Sequence, residues 1–368
     1  MVSYTLTVGR RPILGLRHFL VCSDSTAFGY GSSNPKQTNS WPGVLRTSLT
    51  GVYGSAGSGI VLFNNELLPS DLAWDGRIAV AGTVTEQTLG WYRSAAWEFT
   101  AGSGNYVQIT ETGTEAIITL LATSAGIGQF TVDGGATQSF RLMATGGATP
   151  DIDKEPGYPD GLIVVRIPLG TLGSHQLRLW GSGTTMTPLW WEYRRTLARG
   201  FIVSNASISG KAMGQLITSD EVTDTYGLPL LDAAMIQGMM GDVLLALDTN
   251  EWTGTATTAL VKSRLATAIA RVRLGGYNPI VMVPPQPSPT LQGGSMTYTQ
   301  MVTAVDEQCV TDSVTFWNLQ KLWSDPSETN ETTMFNAGNS QGMFFDLIHP
   351  SDKGARSIAA RVQTLMGV

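Results

Sequence analysis

The sequence predicts an α/β protein with a parallel sheet, interrupted by an all-β insertion, and three observations support this. Short apolar runs recur along the chain, those toward the C-terminus alternating with helical patterns. A central stretch abandons that rhythm for many short strands separated by turn residues. Polar or backbone-shaping residues follow most of the apolar runs.

The apolar runs are "HFLVCS" (18–23), "GFIVS" (200–204), "DVLLAL" (242–247), "PIVMV" (279–283) and "VTFWN" (314–318). Continuous apolar strands rather than alternating ones suit a parallel sheet covered on both faces. In "TATTALVKSRLATAIARVRLGG", Leu260, Val261, Leu265, Ala268, Ile269 and Val272 recur at helical spacing, and Gly275 and Gly276 supply a stop. "TYTQMVTAVDEQCV" and the terminal "SDKGARSIAARVQTLM" read as two more helices, the second weakened at its start by Gly354. The expected architecture is a three-layer α/β/α domain on a five-stranded parallel sheet.

Between about 70 and 198 the texture changes. "AWEFTA", "YVQITET", "EAIITLLAT", "GQFTVDGG", "LIVVRIPL" and "HQLRLWG" are short strand patterns separated by Gly, Asp, Ser and Pro. Frequent turns between short strands predict an antiparallel sandwich of jelly-roll type, with "TVDGG" running into an Asp-Gly hairpin signal. The expected organisation is a first α/β part over 1–69, an inserted β-sandwich over 70–198 and a second α/β part over 199–368.

Composition narrows the function classes. Of 368 residues 42% are hydrophobic and 14% charged, which fits a packed, soluble protein rather than a disordered one. A net charge of −6 without Lys/Arg runs gives no electrostatic footprint for nucleic acid. Cys22 and Cys309 are the only cysteines, and no spacing suggests a metal or a cofactor, so none is expected. No stretch is long and apolar enough to span a bilayer. The N-terminus, interrupted by Arg17 and His18, does not read as a signal peptide, so export would need another route. The oligomeric state is not legible.

The run after the first strand, "CSDSTAFGYG", places Ser25 at the end of a buried strand, followed by a glycine-spaced turn. Ligands of open parallel sheets bind beyond the carboxyl ends of the strands. "NASISG" (205–210), "DTNEW" (248–252) and "PPQPSP" (284–289) follow later strands and could share one rim with Ser25. A serine hydroxyl needs an imidazole to take its proton and a carboxylate to orient that imidazole. Of the three histidines, His18 enters the first strand from the opposite end, and His175 starts a strand of the insertion. His349 lies in "FFDLIHPSDKG" with Asp346 three residues earlier, close enough for a turn to pair them.

Taken together, "SDST", "NASISG", "TN" and "DLIHP", in that order, resemble the blocks of the SGNH hydrolases, or GDSL esterases. The resemblance covers residues 18–60 and 199–368 and leaves the insertion out. It implies that Ser25 is the nucleophile, His349 the general base and acid, and Asp346 the residue orienting it. It further implies an oxyanion hole made by the backbone N–H groups of Ser25 and Gly210 and the side-chain amide of Asn250. Two positions depart from the pattern. Ser23 stands where the family has glycine, and Asp248, Thr249, Asn250 and Glu251 stand where it has Gly-x-Asn-Asp.

Some SGNH esterases of polysaccharides carry a carbohydrate-binding β-sandwich, and the insertion is similar in texture. Trp91, Trp97, Trp180, Trp190 and Trp191 are candidates for stacking on sugar rings, or for filling sandwich core and domain seam. "WWEYRR" (190–195) could join insertion to α/β domain. The expected function is a serine esterase removing short acyl groups, acetyl foremost, from an acylated carbohydrate or other small ester. The alternatives are a lipase or thioesterase for longer chains, and a glycan-binding structural module such as a phage tail component. The Gly/Thr-rich, Lys-poor texture leaves virion association open.

Overall fold

The computed structural model describes residues 16–33, 36–59, 61–62, 77–88, 95–121, 126–141, 162–195, 200–207, 212–214, 241–247, 249–253, 256–294 and 296–368. The five apolar runs form one parallel sheet. Its strands are β1 (Leu16–Cys22), β11 (Gly200–Asn205), β12 (Gly241–Ala246), β13 (Asn278–Val283) and β14 (Thr315–Asn318), in the order β11-β1-β12-β13-β14. Successive side chains of a strand point to opposite faces, and both faces are covered. Phe19, Val21, Leu244 and Met282 pack against α3 (Trp41–Tyr53), α7 (Glu331–Ser340) and α8 (Asp352–Leu365) through residues such as Leu45, Phe335 and Ile358. Leu20, Val243, Leu245 and Val281 pack on the other side against α5 (Thr258–Leu274) and α6 (Tyr298–Asp312). This is the three-layer α/β/α arrangement.

Local sequence explains these helices. Thr257 caps α5, and its buried stripe is Val261, Leu265, Ala268, Ile269 and Val272. Leu260, expected on that stripe, is exposed, because it sits one position off the apolar face. Thr297 and Gln300 form a reciprocal capping box at the start of α6. Gly354 does not weaken α8 without return: a Cβ there would lie 2.1 Å from the Met343 carbonyl oxygen, so glycine permits close packing.

The inserted strands form a separate antiparallel module. β2 (Val61–Leu62), β3 (Ile78–Ala81), β6 (Tyr106–Leu121), β7 (Ile127–Val132), β8 (Gln138–Arg141), β9 (Leu162–Ser182) and β10 (Thr187–Arg194) share one sheet, and β4 (Val84–Thr88) pairs with β5 (Ala95–Phe99). Two pairs of expected strands are each one long strand. β6 runs through Gly113, where the pairing with β9 shifts register, so glycine marks an irregularity rather than an end. His175 accordingly lies within β9 rather than at a strand start. Asp133 and Gly134, both with positive φ, make the turn after β7 as the Asp-Gly signal predicts.

The module has its own core, built from Phe99, Ile109, Ile118, Phe130, Val165, Leu177, Trp191 and Tyr193. Trp180 and Trp191 are buried, Trp180 donating its indole N–H to Gln129, so neither is available to a sugar. Trp91 lies outside the described residues, as do the side chains of Trp97 and Trp190. The "WWEYRR" segment meets the α/β unit through its backbone. Ser58 N–H donates to the Tyr193 carbonyl at 2.8 Å, and Arg195 N–H donates to Ala56 at 2.8 Å. Among the described residues no helix is long and apolar enough to cross a membrane.

Candidate active site

β1 ends at Cys22, and the chain turns at once into α1 (Ser25–Phe28), a single helical turn. Asp24 caps it, accepting from Thr26 N–H at 3.0 Å, and Gly29 closes it in the left-handed region at φ 94°. Ser25 is thus the first residue of a helix, where a backbone N–H has no intrahelical acceptor. The turn is fixed from a second strand as well. Asn205, the last residue of β11, donates its amide to the Ala27 carbonyl at 2.9 Å.

Asp346 and His349, two of the other expected site residues, arrive from the loop between α7 and α8. A bridge between Phe344 and Pro350 closes that loop, with Phe345 N–H donating to the His349 carbonyl at 2.8 Å. Within it Asp346 Oδ1 accepts from the backbone N–H groups of Ile348 and His349, both at 2.7 Å. Asp346 Oδ2 lies 2.8 Å from His349 Nδ1, and His349 Nε2 lies 2.9 Å from Ser25 Oγ. Carboxylate, imidazole and hydroxyl therefore form one continuous chain across residues 324 positions apart.

Electrostatics keep the acid ionised. Burial pushes the Asp346 carboxyl up, but the His349 and Ile348 backbone N–H groups and the imidazole more than offset it, holding it below the ordinary carboxylate range. An ionised Asp346 favours a proton on Nδ1 of His349, leaving Nε2 as the acceptor facing Ser25.

Asn250 lies in α4 (Thr249–Thr253), a short helix beyond β12. Its side-chain amide donates to Asp24 Oδ2 at 2.6 Å. An amide carries two hydrogens, so the Asp24 bond fixes the group while leaving it a second donor. Asp24 is 2% exposed, and both its oxygens are occupied. Gly210 and Asp248 lie outside the described residues.

Several residues that shape the site carried no readable signal beyond their type. Asp24 was visible only as the middle of "SDS", since its partner Asn250 lies 226 positions away. Glu251, 1% exposed, accepts from Met213 N–H and pairs with Arg264 at 3.0 Å. It thereby ties the segment beyond "NASISG" to the helix carrying Asn250. Ser288, in the buried "PPQPSP" loop, donates its N–H to the Leu347 carbonyl at 2.9 Å and anchors the loop of Asp346 and His349.

The other histidines are placed elsewhere. His18 is buried in β1 with Nε2 2.6 Å from Ser204 Oγ. His175 sits between Asp133 and the Thr171 carbonyl. Both cysteines are free and buried, and burial pushes each thiol up to about 12.

No family model and no curated protein matches the chain by sequence. Among solved structures it is similar to a peptidoglycan O-acetylesterase, with a TM-score of 0.65 at 16% identity over 96% of this chain and 91% of that one. A Bacillus subtilis protein aligns with 79% of this chain and 89% of its own at 14% identity, with a TM-score of 0.38. A family two carbohydrate esterase from Clostridium thermocellum, solved with cellohexaose, aligns with 79% of this chain and 99% of its own at 14% identity, with a TM-score of 0.30. The chain thus shares its fold with a peptidoglycan O-acetylesterase over nearly its whole length, and on that fold His349 Nε2 faces Ser25 Oγ.

Proposed function

We propose that the protein is a serine esterase that removes short acyl groups, acetyl foremost, from carbohydrate. The observation carrying this reading is the hydrogen-bonded chain Asp346–His349–Ser25 beyond the carboxyl end of a parallel sheet. His349 Nε2 takes the Ser25 proton as the oxygen attacks the ester carbonyl. The negative charge that develops on the carbonyl oxygen is met by the Ser25 backbone N–H and the second hydrogen of the Asn250 amide. By family resemblance the Gly210 N–H completes the hole. One such donor is typically worth about 3–4 kcal/mol in the transition state. His349 then returns the proton to the departing alcohol oxygen, leaving acyl-Ser25. Water, losing a proton to the same nitrogen, hydrolyses the acyl-enzyme and regenerates Ser25.

The acetyl and carbohydrate parts draw support from the resemblance of the four motif blocks and from the fold shared with an O-acetylesterase. The test is release of acetate from acetylated polysaccharides by the wild type and by Ser25→Ala. The substitution is expected to abolish turnover while thermal unfolding stays unchanged. Undiminished hydrolysis by the variant would exclude the assignment, and a clear preference for octanoate over acetate esters would exclude the acetyl part.

A further inference from the structure

Two aromatic rings are exposed among the described residues, Tyr30 at 48% and Phe345 at 66%, and both belong to segments close to His349. The Tyr30 ring lies 4.6 Å from the imidazole, centroid to centroid, tilted by 41°. Phe345 lies near the same place: its Cβ and that of His349 converge on one point beside Gly31, each 2.9 Å from where a Cβ there would sit. Leu347, 45% exposed, lies between Asp346 and His349 in the sequence. Leaving such groups in water is unfavourable, and their gathering at one catalytic loop points to a ligand that covers them.

The rim is also presented on a fixed backbone. Tyr30 N–H donates to the Ser25 carbonyl at 3.1 Å, Phe345 is held in the Phe344–Pro350 bridge, and the Leu347 carbonyl accepts from Ser288. Such fixed aromatic faces lose little freedom on binding.

We propose that Tyr30 and Phe345 form a platform for the alcohol half of the ester, and that its occupant is the ring of the sugar unit bearing the acyl group. This inference rests on the esterase reading of Ser25 and His349. The side of the substrate follows from the chemistry. His349 must hand its proton to the leaving oxygen, so whatever borders the imidazole on its outer side borders the alcohol. The acyl carbonyl, by contrast, points its oxygen toward the Ser25 N–H and Asn250. A pyranose suits this rim because its C–H face lies flat on an aromatic ring, while its hydroxyls remain at the edge, near the half-exposed Asp346 carboxylate. A linear acyl chain would instead need an apolar channel on the far side of the carbonyl.

Two ester series separate the halves of the substrate. In the first the acyl group stays acetyl and the alcohol is ethanol, cyclohexylmethanol or a methyl pyranoside. In the second the alcohol stays ethanol and the acyl group is acetyl or octanoyl. Selectivity is read as the ratio of kcat/KM values, so any disturbance of His349 by the substitution cancels. Tyr30→Ala and Phe345→Ala are each expected to lower the ring-over-ethyl ratio by about three- to ten-fold, the worth of one aromatic contact, and to leave the octanoyl-over-acetyl ratio unchanged. A fall in the octanoyl ratio instead would put the rim on the acyl side and overturn the proposal. So would unchanged ratios in both series with hydrolysis intact, leaving the esterase reading standing. If the wild type cleaves no member of either series, both readings fail together.

Discussion

Gly31 offers a sharp test of how tightly the loop of Asp346 and His349 is seated. A Cβ at this position would lie 2.6 Å from the Pro350 carbonyl oxygen and 2.9 Å from the Cβ atoms of His349 and Phe345. Ordinary contact begins near 3.4 Å, so in Gly31→Ala the loop must retreat by roughly 0.8 Å at Pro350 and roughly 0.5 Å at His349. The Ser25–His349 contact, 2.9 Å in the native chain, would open past about 3.2 Å, where hydrogen bonds of this type fade. A displacement of about 1 Å at a reacting group can cost 10²-fold, so a drop of about ten- to a hundred-fold in kcat/KM is expected. Overpacking of this kind costs about 1–3 kcal/mol of stability. The assay is hydrolysis of p-nitrophenyl acetate beside urea unfolding, with Gly51→Ala as the matched control. Gly51 lies in α3 with nothing within 4 Å of an added Cβ, so that change should spare both properties. Activity of Gly31→Ala within twofold of wild type would refute the reasoning.

Two further outcomes are expected. Asn250→Ala should lower kcat by about 10²–10³-fold with little change in KM, as loss of a transition-state donor does; a change confined to KM would remove Asn250 from that role. The lowered pKa of Asp346 also sets a pH dependence. A carboxyl depressed in the folded state keeps its contribution above its unfolded pKa and loses it only as pH falls through the folded value. The Asp346 carboxyl should therefore stay ionised until the pH is below the ordinary Asp range of about 4, as followed by the NMR shift of its side-chain carboxyl carbon. Titration of that carbon above about pH 5 would contradict the contact between Asp346 and His349.

The parallel sheet was readable because strands buried on both faces must be apolar at every position, which is what "DVLLAL" and "PIVMV" display. Ser25, Asn250, Asp346 and His349 stand out in the sequence because their segments resemble known motif blocks and follow apolar strands, where such sheets place their ligands, and the structure joins Ser25, His349 and Asp346 by hydrogen bonds. Other features had no local signature. β6 and β9 were read as two strands each, since Gly113 and Gly173 look like breaks until a partner strand supplies the pairing. α7, with the sequence ETTMFNAGNS, is rich in the weak helix formers Thr, Asn, Gly and Ser, and burial of Met334, Phe335 and Gly338 overrides them. The buried Trp180 and Trp191 could not be told from exposed ones, because a sandwich core and a sugar platform favour the same residue type. Tyr30 and Phe345 lack a signature for the opposite reason: an isolated aromatic in a loop carries no periodicity to read.

The site's geometry depends on ties between segments far apart in the chain, and each tie ends on backbone or on a neighbour of a reacting group. Asp24 sits beside Ser25 and holds Asn250, while Asn205 holds the Ala27 carbonyl of the helix that Ser25 begins. Glu251, next to Asn250, holds the Met213 N–H, and Ser288 holds the loop of Asp346 and His349 at Leu347. Asp24 is thereby fixed through both oxygens, one on the Thr26 N–H and one on the Asn250 amide, so its side chain braces the turn that carries Ser25 against the helix that carries Asn250. The group that faces Ser25 Oγ is the Nε2 nitrogen of His349.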